Sequence, residues 1–132
     1  MPFNFDKVLG SHEKALMIQS RRMSLLATNI SNSDTPGYKA RDIDFESALK
    51  QAQSGNAGLL KTTQAGHIQP EGAGLPGGEA LYRVPTLQSP DGNTVDLQQE
   101  KATFAENAVR YQTTLRFLTG RFKGMMGALR GE

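Results

Sequence analysis

The most constraining feature of this sequence is an apolar seam near its C-terminus. Eight apolar residues recur there at alternating spacings of four and three, which is the heptad pattern of a coiled-coil helix. Asp96 precedes them as a candidate N-cap, with Gln99 at the capping-box position. The pattern predicts a helix over residues 96–132 that is marginal until another element packs on it. The seam consists of Phe104, Ala108, Tyr111, Leu115, Leu118, Phe122, Met125 and Leu129.

A second long helix is predicted over residues 1–34, with Asp6 as a candidate N-cap. Its apolar residues recur every seven positions. The companion positions of the seam are partly polar and are occupied by Phe5, His12, Gln19 and Leu26. Pro36 cannot continue a helix and Gly37 permits a turn, so we expect the helix to end before them. The apolar stripe is formed by Leu9, Leu16, Met23 and Ile30.

The segment between the two helices has a different composition. Residues 54–78 contain seven glycines, two prolines and only two charged residues, too little apolar surface to offset the entropy of ordering. We therefore predict a flexible loop over residues 54–79. Residues 35–53 before it should hold an extended segment and a short helix capped by Asp44. Residues 80–95 after it should hold an extended segment and a turn at 89–93.

A stripe of glycines follows the last helix on the side roughly opposite its apolar seam. Gly120, Gly124 and Gly127 fall at helical spacing. One interpretation is fraying, because each glycine costs about 1 kcal/mol of helix stability relative to alanine. The other is a small-residue face that lets another subunit pack closely. Both interpretations stay open from the sequence.

The composition excludes several kinds of active site. The chain has no cysteine, so it has no disulfide, thiolate metal site or cysteine nucleophile. His12 lies on the first helix as a structural histidine, and His67 falls in the loop, so no pair of histidines forms a metal motif. We therefore expect no catalytic residue, no metal and no cofactor. Asp42, Asp44 and Glu46 alternate as calcium ligands can, but no EF-hand pattern follows, and we interpret them as a solvated acidic edge.

Charge and hydropathy narrow the function classes further. The net charge is only +2. The basic residues of segment 101–132 favour the polar surface of a helix, or a match for an acidic neighbour, over nucleic-acid binding. The longest strictly apolar run, residues 15–18, is far too short to cross a bilayer. The N-terminus shows no cleavable secretory signal.

One motif makes a known family recognisable. The stretch 29–39 reads Asn-Ile-Ser-Asn-Ser-Asp-Thr-Pro-Gly-Tyr-Lys and resembles the N-terminal signature of bacterial flagellar rod, hook and hook-associated proteins. Ser31 stands where that family usually has alanine. Segment 93–112, with Glu100 and Asn107, is similar to the family's C-terminal helix. The short length and segments 38–45, 81–85 and 91–96 most resemble a proximal rod protein. The motif residues are Asn29, Asn32, Thr35, Pro36, Gly37 and Tyr38.

The resemblance implies a fold and a function. The chain would be mainly α, with its long terminal helices paired as an antiparallel coiled coil. It would be a non-enzymatic structural component of the proximal rod of the flagellar basal body. Many copies would polymerise through the terminal helices into the axial tube that joins the membrane ring and export gate to the distal rod and transmits torque.

The resemblance also implies partners and a location. The partners would be other copies of the chain, other rod proteins, a small adaptor protein and proteins of the membrane ring and export gate. The chain would leave the cytoplasm through the flagellar type III export apparatus without a cleaved signal, and reside in the periplasmic rod. It would bind neither nucleic acid nor a small-molecule substrate.

These expectations define three groups of site residues. We expect residues 35–38 to set the angle at which the chain leaves the first helix, and the three glycines to pack between subunits. The alternatives are a different axial protein of the family, a soluble coiled-coil adaptor and, least favoured, a small enzyme. The intramolecular seam would join Leu9, Leu16, Met23 and Ile30 to Phe104, Tyr111, Leu115, Leu118, Phe122 and Met125.

Overall fold

The computed structural model describes residues 5–54, 78–86 and 89–131, and the side chains of the first helix from residue 9 onward. Three helices and two very short strands make up this part of the chain. The predicted flexible loop over residues 54–79 lies almost entirely outside the described residues. The elements are α1 (Phe5–Ser31), β1 (Arg41–Asp42), α2 (Phe45–Ser54), β2 (Leu81–Tyr82) and α3 (Leu97–Arg130).

The first helix ends where the sequence predicts. It stops at Ser31, and the chain then turns through Gly37, which adopts a φ of +71°. Such a positive φ is readily accessible to glycine and rare for other residues. At its other end α1 begins at Phe5, so Asp6 lies inside the first turn and the prediction of Asp6 as the cap is wrong.

The last helix follows its capping signals closely. The side chain of Asp96 accepts hydrogen bonds from the backbone N–H groups of Gln98 (3.1 Å) and Gln99 (3.2 Å). Gly131 closes the other end in the left-handed conformation. At about 1.5 Å per residue, the 34 residues of α3 span roughly 51 Å. The long C-terminal helix of the predicted fold class is therefore confirmed, and it runs from Leu97 to Arg130.

The two long helices pack side by side and run antiparallel. Asn29, near the end of α1, bonds Glu100 near the start of α3. Gln19, ten residues earlier on α1, bonds Asn107 further along α3. The antiparallel helix pair of the predicted fold class is thus confirmed. Beside it, β1 and β2 form a two-stranded antiparallel sheet that pairs residue 41 with 82 and residue 42 with 81.

The hydrophobic core is small and lies at one end of the helix pair. Ile18 of α1, Ile43 after β1 and Ala48 of α2 are buried together, and half-buried side chains surround them. On α3 the buried residues are Glu100 and Asn107, both polar. The packing therefore concentrates around the first third of α3, leaving the remainder of that helix with no buried residue. None of the helices in the described residues is long and apolar enough to cross a membrane.

Candidate functional site

A cluster of charged and amide side chains joins both long helices to the sheet, and we call Arg22, Asn29, Asp42, Arg83 and Glu100 the polar clasp. Arg22 of α1 donates from Nε and Nη2 to the two carboxylate oxygens of Asp42, both at 2.8 Å. Arg83 follows β2 and donates to Asp42 Oδ2 at 2.7 Å. Its other guanidinium nitrogen, Nη1, donates to Glu100 of α3. One arginine thus ties the sheet to α3.

Glu100 is the deepest member of the polar clasp. It is fully buried, and its second carboxylate oxygen accepts a hydrogen bond of 3.2 Å from Asn29. A buried carboxylate is tolerated only when cations and hydrogen-bond donors surround it. Two guanidinium groups balance two carboxylates here, so the polar clasp is electrically neutral. Its directional bonds fix how α1, the sheet and α3 sit against one another.

Asn29 uses its whole side-chain amide. The Nδ2 group donates to the backbone carbonyl of Arg41 (2.8 Å) and to Glu100. The Oδ1 atom accepts from the Tyr38 hydroxyl and from the Arg41 backbone N–H, both at 3.2 Å. An amide has two donor hydrogens and two acceptor lone pairs, so this buried side chain is satisfied. The first residue of the family motif is therefore the junction between α1, β1 and α3.

The ion pairs of the polar clasp shift the titration of Asp42. Burial raises the pKa of its carboxyl, but the hydrogen bonds from Arg22 and Arg83 outweigh burial and leave the pKa below its ordinary value. The hydrogen bond to Asp42 likewise raises the pKa of Arg22. Asp42 is therefore ionised throughout the physiological pH range and contributes a permanent charge to the polar clasp.

The sequence-based interpretation of the acidic edge is wrong for one of its three residues. Asp42 is not solvated, because its side chain is only 18% exposed and pairs with two arginines. Asp44 and Glu46 are exposed, as interpreted. The Asp44 carboxylate accepts a hydrogen bond from the Ser47 hydroxyl at 2.5 Å in the first turn of α2, and its role as the cap of α2 stays a prediction. Within the described residues no acidic or histidine cluster could hold a metal ion.

The turn after α1 is held by an asparagine that the sequence analysis did not single out. Asn93 Nδ2 lies within hydrogen-bond distance of three backbone carbonyls, those of Asn32, Ser33 and Thr35, at 2.8–3.1 Å. Its Oδ1 accepts from the Val95 backbone N–H at 2.8 Å. The turn at 89–93 that the sequence predicts, closed by a 3.0 Å bond from Gly92 N to Ser89 O, thus anchors the family motif.

The remaining motif residues shape the chain as it leaves α1. The Thr35 hydroxyl donates to Asn32 Oδ1 at 3.1 Å, and the Gly37 backbone N–H donates to the Asp91 carbonyl at 3.0 Å. Pro36 is exposed beside them. Tyr38 returns to α1 through its hydroxyl. That these residues set the exit angle from the helix stays a prediction.

The residues of the predicted seam fall into two classes of exposure. Leu115 and Phe122 are 44% and 48% exposed. The other eight are half-buried, so none of the ten is fully buried, and the seam assignment stays a prediction. The half-buried members are Leu9, Leu16, Met23, Ile30, Phe104, Tyr111, Leu118 and Met125.

The buried face of α1 includes Gln19 and Leu26, two companion positions of the predicted stripe, and also Ile18, which the stripe does not include. Ile18 and Leu26 are 1% and 0% exposed, and at 100° per residue the stripe is rotated by about 120–180° from Ile18. The reason is that α1 packs against α2 and β1 as well as α3. Gln19 also lies on the buried face, where its backbone carbonyl accepts a 2.9 Å hydrogen bond from Asn107 Nδ2.

Two of the three glycines on α3 have no neighbouring atoms beside them in the part of the chain that the structure describes. A Cβ atom added at Gly120 or Gly124 would meet nothing within 4 Å, and Gly127 is half-buried. Two large apolar side chains, Val109 and Phe117, are more than 60% exposed on the same helix. The role of the glycines in subunit packing stays a prediction.

The chain is similar to proteins of one flagellar family. The family model "Flagella basal body rod protein" matches residues 9–39. The chain is 44% identical to flagellar basal body rod protein FlgB of Aeromonas hydrophila, covering 100% of this chain and 99% of that protein. It is 50% identical to the FlgB of Cereibacter sphaeroides (97% and 98% covered). It is 42% identical to that of Salmonella typhimurium (96% and 95% covered).

Proposed function

The chain belongs to the family of flagellar basal body rod proteins, and we propose that it is a structural component of the proximal rod. In this proposal many copies polymerise through their terminal helices into the axial tube, which joins the membrane ring and export gate to the distal rod and transmits torque. The observation that carries it is the 42–50% identity to FlgB proteins along nearly the whole chain.

Two structural features support this proposal. The polar clasp gives the paired terminal helices one defined arrangement, as a repeating building block requires. The part of α3 beyond Asn107 has no buried residue and exposes Phe117 and Phe122 by about half or more. Exposed apolar surface of this kind is typical of a protein that associates with others.

The finer parts of the proposal follow from the family likeness. The partners are further copies of the chain, other rod proteins, an adaptor protein and proteins of the ring and export gate. The location is the periplasmic part of the basal body, reached through the flagellar type III export apparatus. Within the helix pair, we propose the ten seam residues as the intramolecular contact and Gly120, Gly124 and Gly127 as the close-packing face between subunits.

The experiment that tests the function is deletion of the gene, followed by electron microscopy of purified basal bodies. We expect membrane rings without a rod and cells that do not swim. A plasmid carrying the unchanged gene serves as the control and should restore both rods and swimming. Complete rods in the deletion strain would refute the proposed role, and a soluble coiled-coil adaptor would then become the better explanation.

A further inference from the structure

The two most exposed large apolar side chains reported for the described residues lie at opposite ends of the helix pair. Val84, which follows β2, is 87% exposed, and Leu129, in the last turn of α3, is 81% exposed. From Leu97 to Leu129 α3 rises roughly 48 Å, at about 1.5 Å for each residue. One molecule therefore cannot bring its own two ends into contact.

The end near Val84 carries an open groove with an apolar lining. The groove has a volume of about 340 Å³ and runs between the segment after β2 and the start of α3. Val84, Pro85, Val95 and Leu97 supply apolar side chains to it, and Asp96 supplies a carboxylate. Asp96 has no cationic partner among the described residues.

Among the described residues that line this groove, no basic side chain lacks an acidic partner. Arg83 lines it, but the ion pairs with Asp42 and Glu100 already neutralise this guanidinium. A second carboxylate, that of Asp91, is exposed in the turn that borders the groove. The groove therefore suits an apolar segment that also carries a cation.

The other end of the molecule has this complementary chemistry. Residues 107–131 include five basic residues and no acidic one. Met126 and Leu129 are 50% and 81% exposed. At 100° per residue they occupy an arc of about 60° on α3, and Lys123 and Arg130 border it. The last turns of α3 thus combine an apolar ridge with a basic margin.

We propose that the groove beside Val84 receives the C-terminal turns of α3 from a second copy of this chain. The inference rests on the proposed polymerisation and deepens it, because it assigns the surfaces that two successive copies use. The ridge of Met126 and Leu129 enters the apolar groove, and the basic margin of α3 faces Asp96 and Asp91.

A second copy is the occupant because both complementary surfaces belong to the same chain. A contact between two different surfaces of identical molecules leaves one surface of each kind free at the ends of the assembly. The same contact then repeats and builds an open polymer rather than a closed dimer. Each copy in the interior of the assembly would bury both of its exposed apolar ends.

Site-specific cross-linking tests this contact directly, because the chain has no cysteine of its own. The variants are Val84→Cys, Leu129→Cys and the chain carrying both changes, each expressed in the deletion strain. Both positions are more than 80% exposed, so neither change should disturb the fold. Purified basal bodies are oxidised, separated without reductant and probed with an antibody to the chain.

We expect the double variant to give a ladder of dimers and larger species, and each single variant to remain monomeric. A mixture of the two single variants in one cell should give a dimer and nothing larger. A disulfide requires Cα atoms about 4.4–6.8 Å apart, whereas within one molecule Val84 lies beside the start of α3 and Leu129 lies in its last turn, roughly 48 Å further along the helix. Every cross-link between them must therefore join two copies.

Three results would overturn the inference. The first is a dimer from either single variant with no ladder from the double variant, because that contact is symmetric. The second is a cross-link only to a different protein. The third is the absence of any cross-link in strains that swim and contain complete rods, since the proposed function would then stand without this contact. Failure of the function itself appears separately, as complete rods in the deletion strain.

Discussion

The two halves of the helix pair differ in how deeply their side chains are buried. In the half around Asn29 and Glu100, these two polar side chains are buried and hydrogen-bonded, and α2 and the sheet cover α1. In the other half, from residue 108 to residue 131, no described residue of α3 is buried. Phe117, Phe122 and Leu129 face outward there, and Gly120 and Gly124 leave open space.

This difference separates folding from assembly along one helix. The half that contains the polar clasp holds the interactions that specify the conformation of a single chain. The other half offers surface that a single chain leaves uncovered. Changes in the clasp half should therefore lower the free energy of unfolding, and changes in the outer half should impair assembly more than folding.

The largest expected effect is on assembly, from Leu118→Asp in the outer half. Leu118 is half-buried on the predicted seam, and the change places a charge where apolar side chains pack. We expect loss of swimming and of rods, measured by motility in soft agar and by electron microscopy. Ala102→Asp, at an exposed position of the same helix, is the control and should swim. Normal swimming of Leu118→Asp would contradict the seam assignment.

The next effect is on stability, from Arg83→Met in the polar clasp. The change leaves the fully buried Glu100 without its cation, and breaking such a pair typically costs about 3 kcal/mol. Urea unfolding of the purified chain would measure it. The matched control is Arg110→Met, which removes an exposed pair with Glu106 and should cost less than about 0.5 kcal/mol. Equal stabilities of the two variants would remove the distinction between the halves.

A smaller loss is expected from Gly78→Ala, next to α2. Gly78 has a φ of +85°, and a Cβ there would lie 2.6 Å from the Cβ of Ala48. Strain and overlap together should cost about 2 kcal/mol in urea unfolding. Gly124→Ala is the control in the outer half, where a Cβ meets open space, and it should raise helix stability by up to about 1 kcal/mol. Destabilisation of the control to the same extent would contradict the structure of the outer half.

The smallest effect is a pH dependence that belongs to Asp42. Since its pKa is lowered in the folded chain, its contribution is present above the ordinary carboxyl value of about 3.9 and is lost as the pH falls through the lowered value. Asp42→Asn should be less stable than the unchanged chain by about 1.5 kcal/mol at pH 7. The gap, measured by urea unfolding at several pH values, should shrink toward acid. A gap that stays constant or widens would show that the ion pairs do not stabilise the fold.

The sequence predicted elements that depend on local signals. Asp96 caps α3 through its own neighbours, α1 ends before Pro36, and the turn at 89–93 closes with Gly92 at a φ of +78°. Each of these depends on residues within a few positions of one another. The family motif drew attention to Asn29, although its bonds to Arg41 and Glu100 were not predictable.

The sequence did not predict the contacts that join distant segments. Asp42 was interpreted as solvated because its partners, Arg22 and Arg83, lie 20 and 41 residues away. The apolar periodicity of α1 also left Ile18 outside the predicted stripe. A pattern within one helix carries no information about α2, which packs on α1 from another direction. Glu100 and Asn107 are polar, so a pattern of apolar residues could not reveal that they are the buried residues of α3.

The polar clasp also governs when the chain can fold. Its bond between Asn29 and Glu100 joins residues 71 positions apart, and the neighbouring bond from Asn107 to the Gln19 carbonyl joins residues 88 positions apart. Long-range contacts of this kind are reached only after a large loop has closed, so they slow folding. A chain that emerges N-terminus first, from a ribosome or from a narrow channel, cannot complete them until α3 has followed. Until that moment α1 remains without its partners on α3.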